Sequence, residues 1–115
     1  MQKYIFIAIC VVMFSSCGNN TKNEMPVNLL SQQQMEAVLY DMHLAEGLLS
    51  VEPSSADSTA RRALGLYDLI YKKHQTNKQQ FKESYMYYTN NPKLLDSVYT
   101  RIIERLSLQE SILKK

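Results

Sequence analysis

At 115 residues the chain has room for one domain, and a hydrophobic content of 45% suffices for a single modest core. Three Gly and three Pro, against many Leu, Met, Gln, Lys and Glu, favour long helices over a turn-dense all-β fold. The 13 Lys and Arg and 11 Asp and Glu are interspersed, which excludes a dedicated nucleic-acid binder: such a protein gathers positive charge on one face to displace phosphate counterions.

Residues 1–16 read as a secretory signal peptide. Lys3 and the amino terminus make a positive start, Tyr4 to Phe14 an apolar run, and Ser15 and Ser16 supply small residues. As a helix the run would be about 16 Å long, well short of the roughly 30 Å hydrocarbon core. Phe14-Ser15-Ser16-Cys17 resembles the lipobox of bacterial lipoproteins, with Phe in place of the usual opening Leu. The resemblance implies cleavage before Cys17 and acylation of its sulfur, a membrane anchor made of covalent lipid such as palmitate. The alternatives are ordinary cleavage after Gly18, with Ser16 and Gly18 as the small residues, which would give a soluble secreted form, and an uncleaved anchor. Cys10 lies in the discarded run and Cys17 is consumed by lipid, so no disulfide framework follows. After Cys17, Gly18 to Asn23 carries one charge, Lys22, and Glu24 stands alone, so no acidic signal for surface display is present. The expected address is the outer membrane, facing the periplasm.

Residues 18–28, Asn-rich and without apolar period, read as a tether from the lipidated Cys17 to a helical domain over 29–115. Ser31 and Gln34 are spaced as a capping box, with Leu30 placed to staple onto Met35. The first helix carries Met35, Val38, Leu39, Met42, Ala45 and Leu49 on one face, and Gly47 and then Pro53 end it. A cap within Ser54 to Ser58 opens the second, with a stripe of Ala60, Ala63, Leu64, Tyr67, Ile70 and Tyr71 reaching His74. Asn77 and Gln80 start a short third helix presenting Phe81, Ser84, Tyr85 and Tyr88. Asn90-Asn91-Pro92 then breaks the chain, with Asn91 as cap and Pro92 at the first position of a fourth helix showing Leu95, Val98, Tyr99, Ile102, Leu106 and Leu113 in register. The short connections predict an all-α bundle of about four helices. A coiled coil would involve the fourth helix alone.

The densest polar constellation is Asp41-Met42-His43-Leu44-Ala45-Glu46. At 100° per residue Glu46 falls inside the apolar stripe, with His43 and Asp41 on opposite flanks. One reading makes Glu46, His43 and, from the second helix, His74 a metal site or acid/base group. The other pairs Glu46 with Arg61, Arg62 or a Tyr hydroxyl, because carboxylates in apolar stripes are normally satisfied by neighbours. Two His and no thiol are a thin ligand supply, and neither E-x-x-H nor H-E-x-x-H occurs. We expect no metal and no cofactor beyond the lipid. Tyr85 and Tyr88 share the helical stripe and read as core, whereas Met86 and Tyr87 read as outward-facing candidates for a binding surface. No G-x-S-x-G and no glycine loop for phosphate is present, so the expectation is a protein that is not an enzyme.

The blocks Val38 to Glu46, Tyr71 to His74, Phe81 to Tyr85 and Tyr87 to Pro92, in that order, resemble the small lipoproteins of Bacteroidota that carry a domain of unknown function, over roughly residues 28–110. The third helix with its Asn-Asn-Pro break is also similar, over one helical hairpin, to segments of periplasmic chaperones and prolyl isomerases. The resemblance brings no activity with it. Three functions remain open: a non-catalytic domain binding an envelope protein or peptide, a metal or acid/base site on Glu46, His43 and His74, and a structural role through self-association by Met86, Tyr87 and other exposed apolar groups.

Overall fold

A computed structural model of the chain describes residues 24–51 and 55–115. The segment expected to be a signal peptide, Cys17 and most of the expected tether lie outside the described residues, as does Pro53. Four helices and no strand occur among the described residues, the all-α bundle expected.

Helix α1 (Gln32–Val51) begins at the capping box. The Ser31 N–H donates to Gln34 Oε1 at 2.9 Å and the Gln34 N–H returns to Ser31 Oγ at 3.2 Å. Leu30 and Met35 share one core cluster, as the staple requires. Gly47 does not end the helix, which runs through it to Val51. Helix α2 (Ala56–Lys73) is capped by Ser55, whose side chain accepts the Ser58 N–H at 3.3 Å. At its far end Gln75 takes φ 54°, while Gln75 and Thr76 donate backbone bonds to Lys72 and Tyr71. This is a Schellman closure with a glutamine where glycine is easiest. Helix α3 (Lys78–Thr89) starts at Asn77, whose Oδ1 accepts the Gln80 N–H at 2.8 Å. Helix α4 (Pro92–Leu113) has Pro92 in its first turn, as expected. The Asn91 side chain, however, makes no cap bond to α4; its Nδ2 donates 2.7 Å back to the Tyr87 carbonyl. The proline lacks the N–H and fixes the turn by itself, which frees Asn91 to close the end of α3.

Helix α1 is the spine. On one side Leu30, Met35 and Leu39 pack with Tyr88 of α3 and with Val98 and Ile102 of α4. On the other, Val38 and Met42 pack with Ile70 of α2. Phe81 borders both clusters, its ring 5.7 Å from Tyr71 and 5.8 Å from Tyr85. Helix α2 runs antiparallel to α1, since Glu46 meets Tyr67 while Asp41 meets Lys73 and His74. With α1 as its main neighbour, only a narrow arc of α2 is covered. Tyr67 and Tyr71 are half-buried, but Ala60 and Leu64 of the expected stripe are exposed. Leu113 is also in register yet 78% exposed, because α4 continues past the groups that cover Val98 and Ile102.

The lead-in segment is held by side chains of α3 at four-residue steps. Gln80 Nε2 donates to the Asn28 carbonyl at 3.0 Å, Ser84 Oγ accepts the Leu30 N–H at 2.9 Å, and the Tyr88 hydroxyl donates to the Leu30 carbonyl at 2.8 Å. Both backbone polar groups of the buried Leu30 are thereby satisfied without secondary structure.

Candidate functional site

The polar residues between Asp41 and Glu46 divide into two networks. Asp41 is largely buried, and its Oδ2 receives Lys73 Nζ at 2.8 Å and lies 2.7 Å from His74 Nε2. Burial works against its charged form, but the hydrogen bonds and positive charge of Lys73 and His74 outweigh it and hold the carboxyl below its usual pKa. The cluster joins the middle of α1 to the end of α2.

Glu46 lies five residues on, about 140° around the helix from Asp41. Its side chain is 54% exposed, which corrects the expected placement inside the buried stripe: the stripe is only partly roofed at this level. The Tyr67 hydroxyl donates to Glu46 Oε1 at 2.9 Å, the tyrosine partner foreseen as one of the ordinary pairings. His43 Nδ1 stands 3.5 Å from the other carboxylate oxygen, and its ring lies 5.8 Å from that of Tyr99 on α4. His43 Nε2 is buried and meets no hydrogen-bond partner among the described residues. Burial, a hydrogen bond shared with Tyr85 of α3 and the charge of Glu46 push Tyr99 up to about 12, so it stays a neutral phenol near pH 7. Burial and the bond to Glu46 also raise Tyr67. All four helices contribute to this corner.

His74, bonded to Asp41, is thus in a different network from His43 and Glu46. Among the described residues no group of three or more His, Cys, Asp or Glu could hold a metal ion. The corner offers phenol and imidazole groups beside one open carboxylate, an arrangement suited to hydrogen bonding.

Of the two residues expected to form an outward binding surface, Met86 is 49% exposed. Tyr87 is not outward-facing: it is half-buried against the core and meets Tyr88 edge-on at 6.0 Å. The immediate turn at Asn90-Asn91-Pro92 brings Leu94 and Leu95 into the same cluster.

A groove of about 380 Å³ lies elsewhere, between Tyr40 of α1 and the end of α4, lined by Arg105, Leu108, Gln109, Ile112 and Leu113. The Arg105 guanidinium sits 4.0 Å from the Tyr40 ring centroid and 3.3 Å from Glu36, and the Tyr40 hydroxyl donates to Gln109 Oε1. These contacts order one wall while Leu108, Ile112 and Leu113 remain exposed. Sequence reasoning missed Tyr40, Arg105 and Gln109 as a group, since residues on two helices far apart in the chain carry no shared local signal.

No helix among the described residues is long and apolar enough to cross a membrane. No curated protein and no solved structure matches the chain. Residues 26–112 match the family described as a domain of unknown function, DUF4296, and the match spans most of the chain, including all four helices. The chain belongs to the DUF4296 family.

Proposed function

We propose that this chain is a lipoprotein of the bacterial envelope, of the small Bacteroidota type, whose non-catalytic helical domain binds another envelope protein or peptide. The observation that carries the binding role is the uncovered end of α4. Leu113 continues the stripe of Leu95, Val98, Ile102 and Leu106 but has no cover, and with Leu108 and Ile112 it borders a groove with an ordered polar wall. Apolar surface rimmed by fixed polar groups is the usual form of a protein-binding patch. An apolar side chain of a partner segment fits between Leu113 and Tyr40, with Arg105 and Gln109 available to its backbone.

The lipobox-like Phe14 to Cys17 supports the anchor. Residues 18–27, if extended, would reach at most about 35 Å before the chain is pinned at Asn28. The favoured address is the outer membrane, facing the periplasm. Intact mass of the mature chain tests the anchor directly, since its first residue should be Cys17 carrying fatty acyl chains. For binding, a photo-cross-linking residue at position 112 should trap one defined partner in cells, and Leu113→Glu should abolish that product. Cross-linked samples containing only monomer would refute the binding role, and a product of twice the chain's mass would reassign the groove to self-association.

A further inference from the structure

The polar wall of the groove at the end of α4 is made of hydrogen-bond donors. The Tyr40 hydroxyl donates to Gln109 Oε1, which occupies the carbonyl end of that side chain and leaves the two N–H groups of its amide. Arg105 gives one nitrogen to Glu36 at 3.3 Å and lays its guanidinium on the Tyr40 ring. Most of its five N–H groups are unclaimed among the described residues. No carboxylate lines the groove. Glu36 is largely buried and already faces Arg105, and Glu110, next to Gln109 in the chain, is bound to Lys114 at 2.6 Å. The rest of the lining on α4 is aliphatic: Leu108, Ile112 and Leu113, all exposed.

We infer, resting on the binding role proposed above, that the groove takes a carboxylate carried on an aliphatic body, supplied by the free C-terminal residue of a partner polypeptide. A wall of donors without an acceptor matches a group that only accepts, and an ionised carboxylate is such a group. An internal peptide segment brings an N–H for each C=O, and those N–H groups would face more donors. The guanidinium fork, ordered by its stack on Tyr40, suits the two oxygens of one carboxylate. Along α4 the donors come first and the uncovered end afterwards, since Arg105 and Gln109 stand about two turns and about one turn before Leu113. The carboxylate therefore lies back from the negative end of the helix dipole, whose effect is confined to the last turn, while the aliphatic side chain lies over Ile112 and Leu113. A volume of about 380 Å³ is near the lower end for small-ligand sites, which suits one or two residues better than a long segment.

The full chain in phospholipid nanodiscs is exposed to a pool of random hexapeptides with free C-termini and, separately, to the same pool amidated, and retained peptides are identified by mass spectrometry. The free pool should be enriched in Leu, Ile, Val or Met at the last position. Amidation should lower retention at least about tenfold, as expected for losing a charge-assisted hydrogen bond. Gln109→Glu keeps an acceptor for the Tyr40 hydroxyl but sets a negative charge in place of the amide donors. It should abolish retention of the free pool and leave the melting temperature unchanged. Arg105→Lys, which keeps a charge for Glu36 but loses the planar fork, should weaken the best peptide by about tenfold. Equal retention of both pools, or retention unaffected by Gln109→Glu, would overturn the terminal carboxylate and leave the groove to an internal segment, with the binding role intact. Displacement of the best peptide by an equal concentration of hexanoate would overturn the peptide source in favour of a fatty acid. Enrichment in neither pool would overturn the terminal-residue ligand, while the cross-link at position 112 reports separately on whether the groove binds a partner at all.

Discussion

Removing the Tyr88 hydroxyl tests how the domain holds its own beginning. Tyr88 is 2% exposed and donates to the carbonyl of Leu30, itself 1% exposed, while Ser84 accepts the Leu30 N–H. Tyr88→Phe keeps the ring and strands a buried carbonyl; Ser84→Ala strands a buried amide. Each should cost about 1–3 kcal/mol, the range for an unsatisfied buried polar group. In a domain of this size that corresponds to a melting temperature lower by roughly 4–8 °C per kcal/mol, followed by the loss of helical circular dichroism. The double variant carries the sharper information. Once the lead-in swings out, the cost is capped near the burial energy of the Leu30 side chain, about 1.5–3 kcal/mol, so the two effects should fall short of additive. Protease should then cut within residues 24–31 in the variants before the helices unfold. A Tyr88→Phe protein within about 0.5 kcal/mol of the parent, or full additivity of the pair, would refute the assignment of Leu30 to this clamp.

Four further outcomes follow from the same geometry. Asp41 has a lowered pKa in the folded chain, so its stabilising contribution is complete above the ordinary carboxyl value of 3.8 and is lost as pH falls through the folded value. The difference in melting temperature between parent and Asp41→Asn should therefore shrink as the pH falls below about 4. Gln75→Gly should raise stability by roughly 0.5 kcal/mol in urea unfolding, because relief of left-handed strain exceeds the glycine entropy cost. Ile102→Ala should cost about 2–5 kcal/mol as a core cavity, and Leu113→Ala, in the same register but uncovered, under about 0.5 kcal/mol, both read by denaturant midpoints. Zinc should leave the melting temperature unchanged, since His74 and the His43–Glu46 pair are in separate networks, and Glu46→Ala should cost less than about 1 kcal/mol.

The helix starts were legible because caps are local. Ser31 with Gln34 and Asn77 with Gln80 state their bonds within three residues, and both formed. Asn91 misled because a cap residue stands between two helices, and its side chain serves the one behind it. Periodicity found the inner face of α1, yet Glu46 in that stripe is half-open and Leu113 of α4 nearly bare. Spacing fixes which way a side chain points, while cover depends on where neighbouring helices stop. Asp41 with His74 and Tyr40 with Arg105 and Gln109 were out of reach for a related reason: each needs the antiparallel return or the crossing of a helix distant in the chain.

The spine arrangement explains where the unclaimed apolar surface lies. A domain this small builds two modest clusters on either side of one helix, and each cluster closes before the helices that form it do. What remains is the far end of α4, next to a wall fixed by Arg105, and Leu44, Leu48 and Val51 in the second half of α1. Neither is needed to keep the inner clusters intact, as the exposure of Leu113, Leu44 and Val51 indicates. Substitutions there can therefore alter association with little effect on folding. Changes at Leu30, Tyr88 or Ile102 must act on the fold first, and any binding loss they produce will follow the loss of native protein.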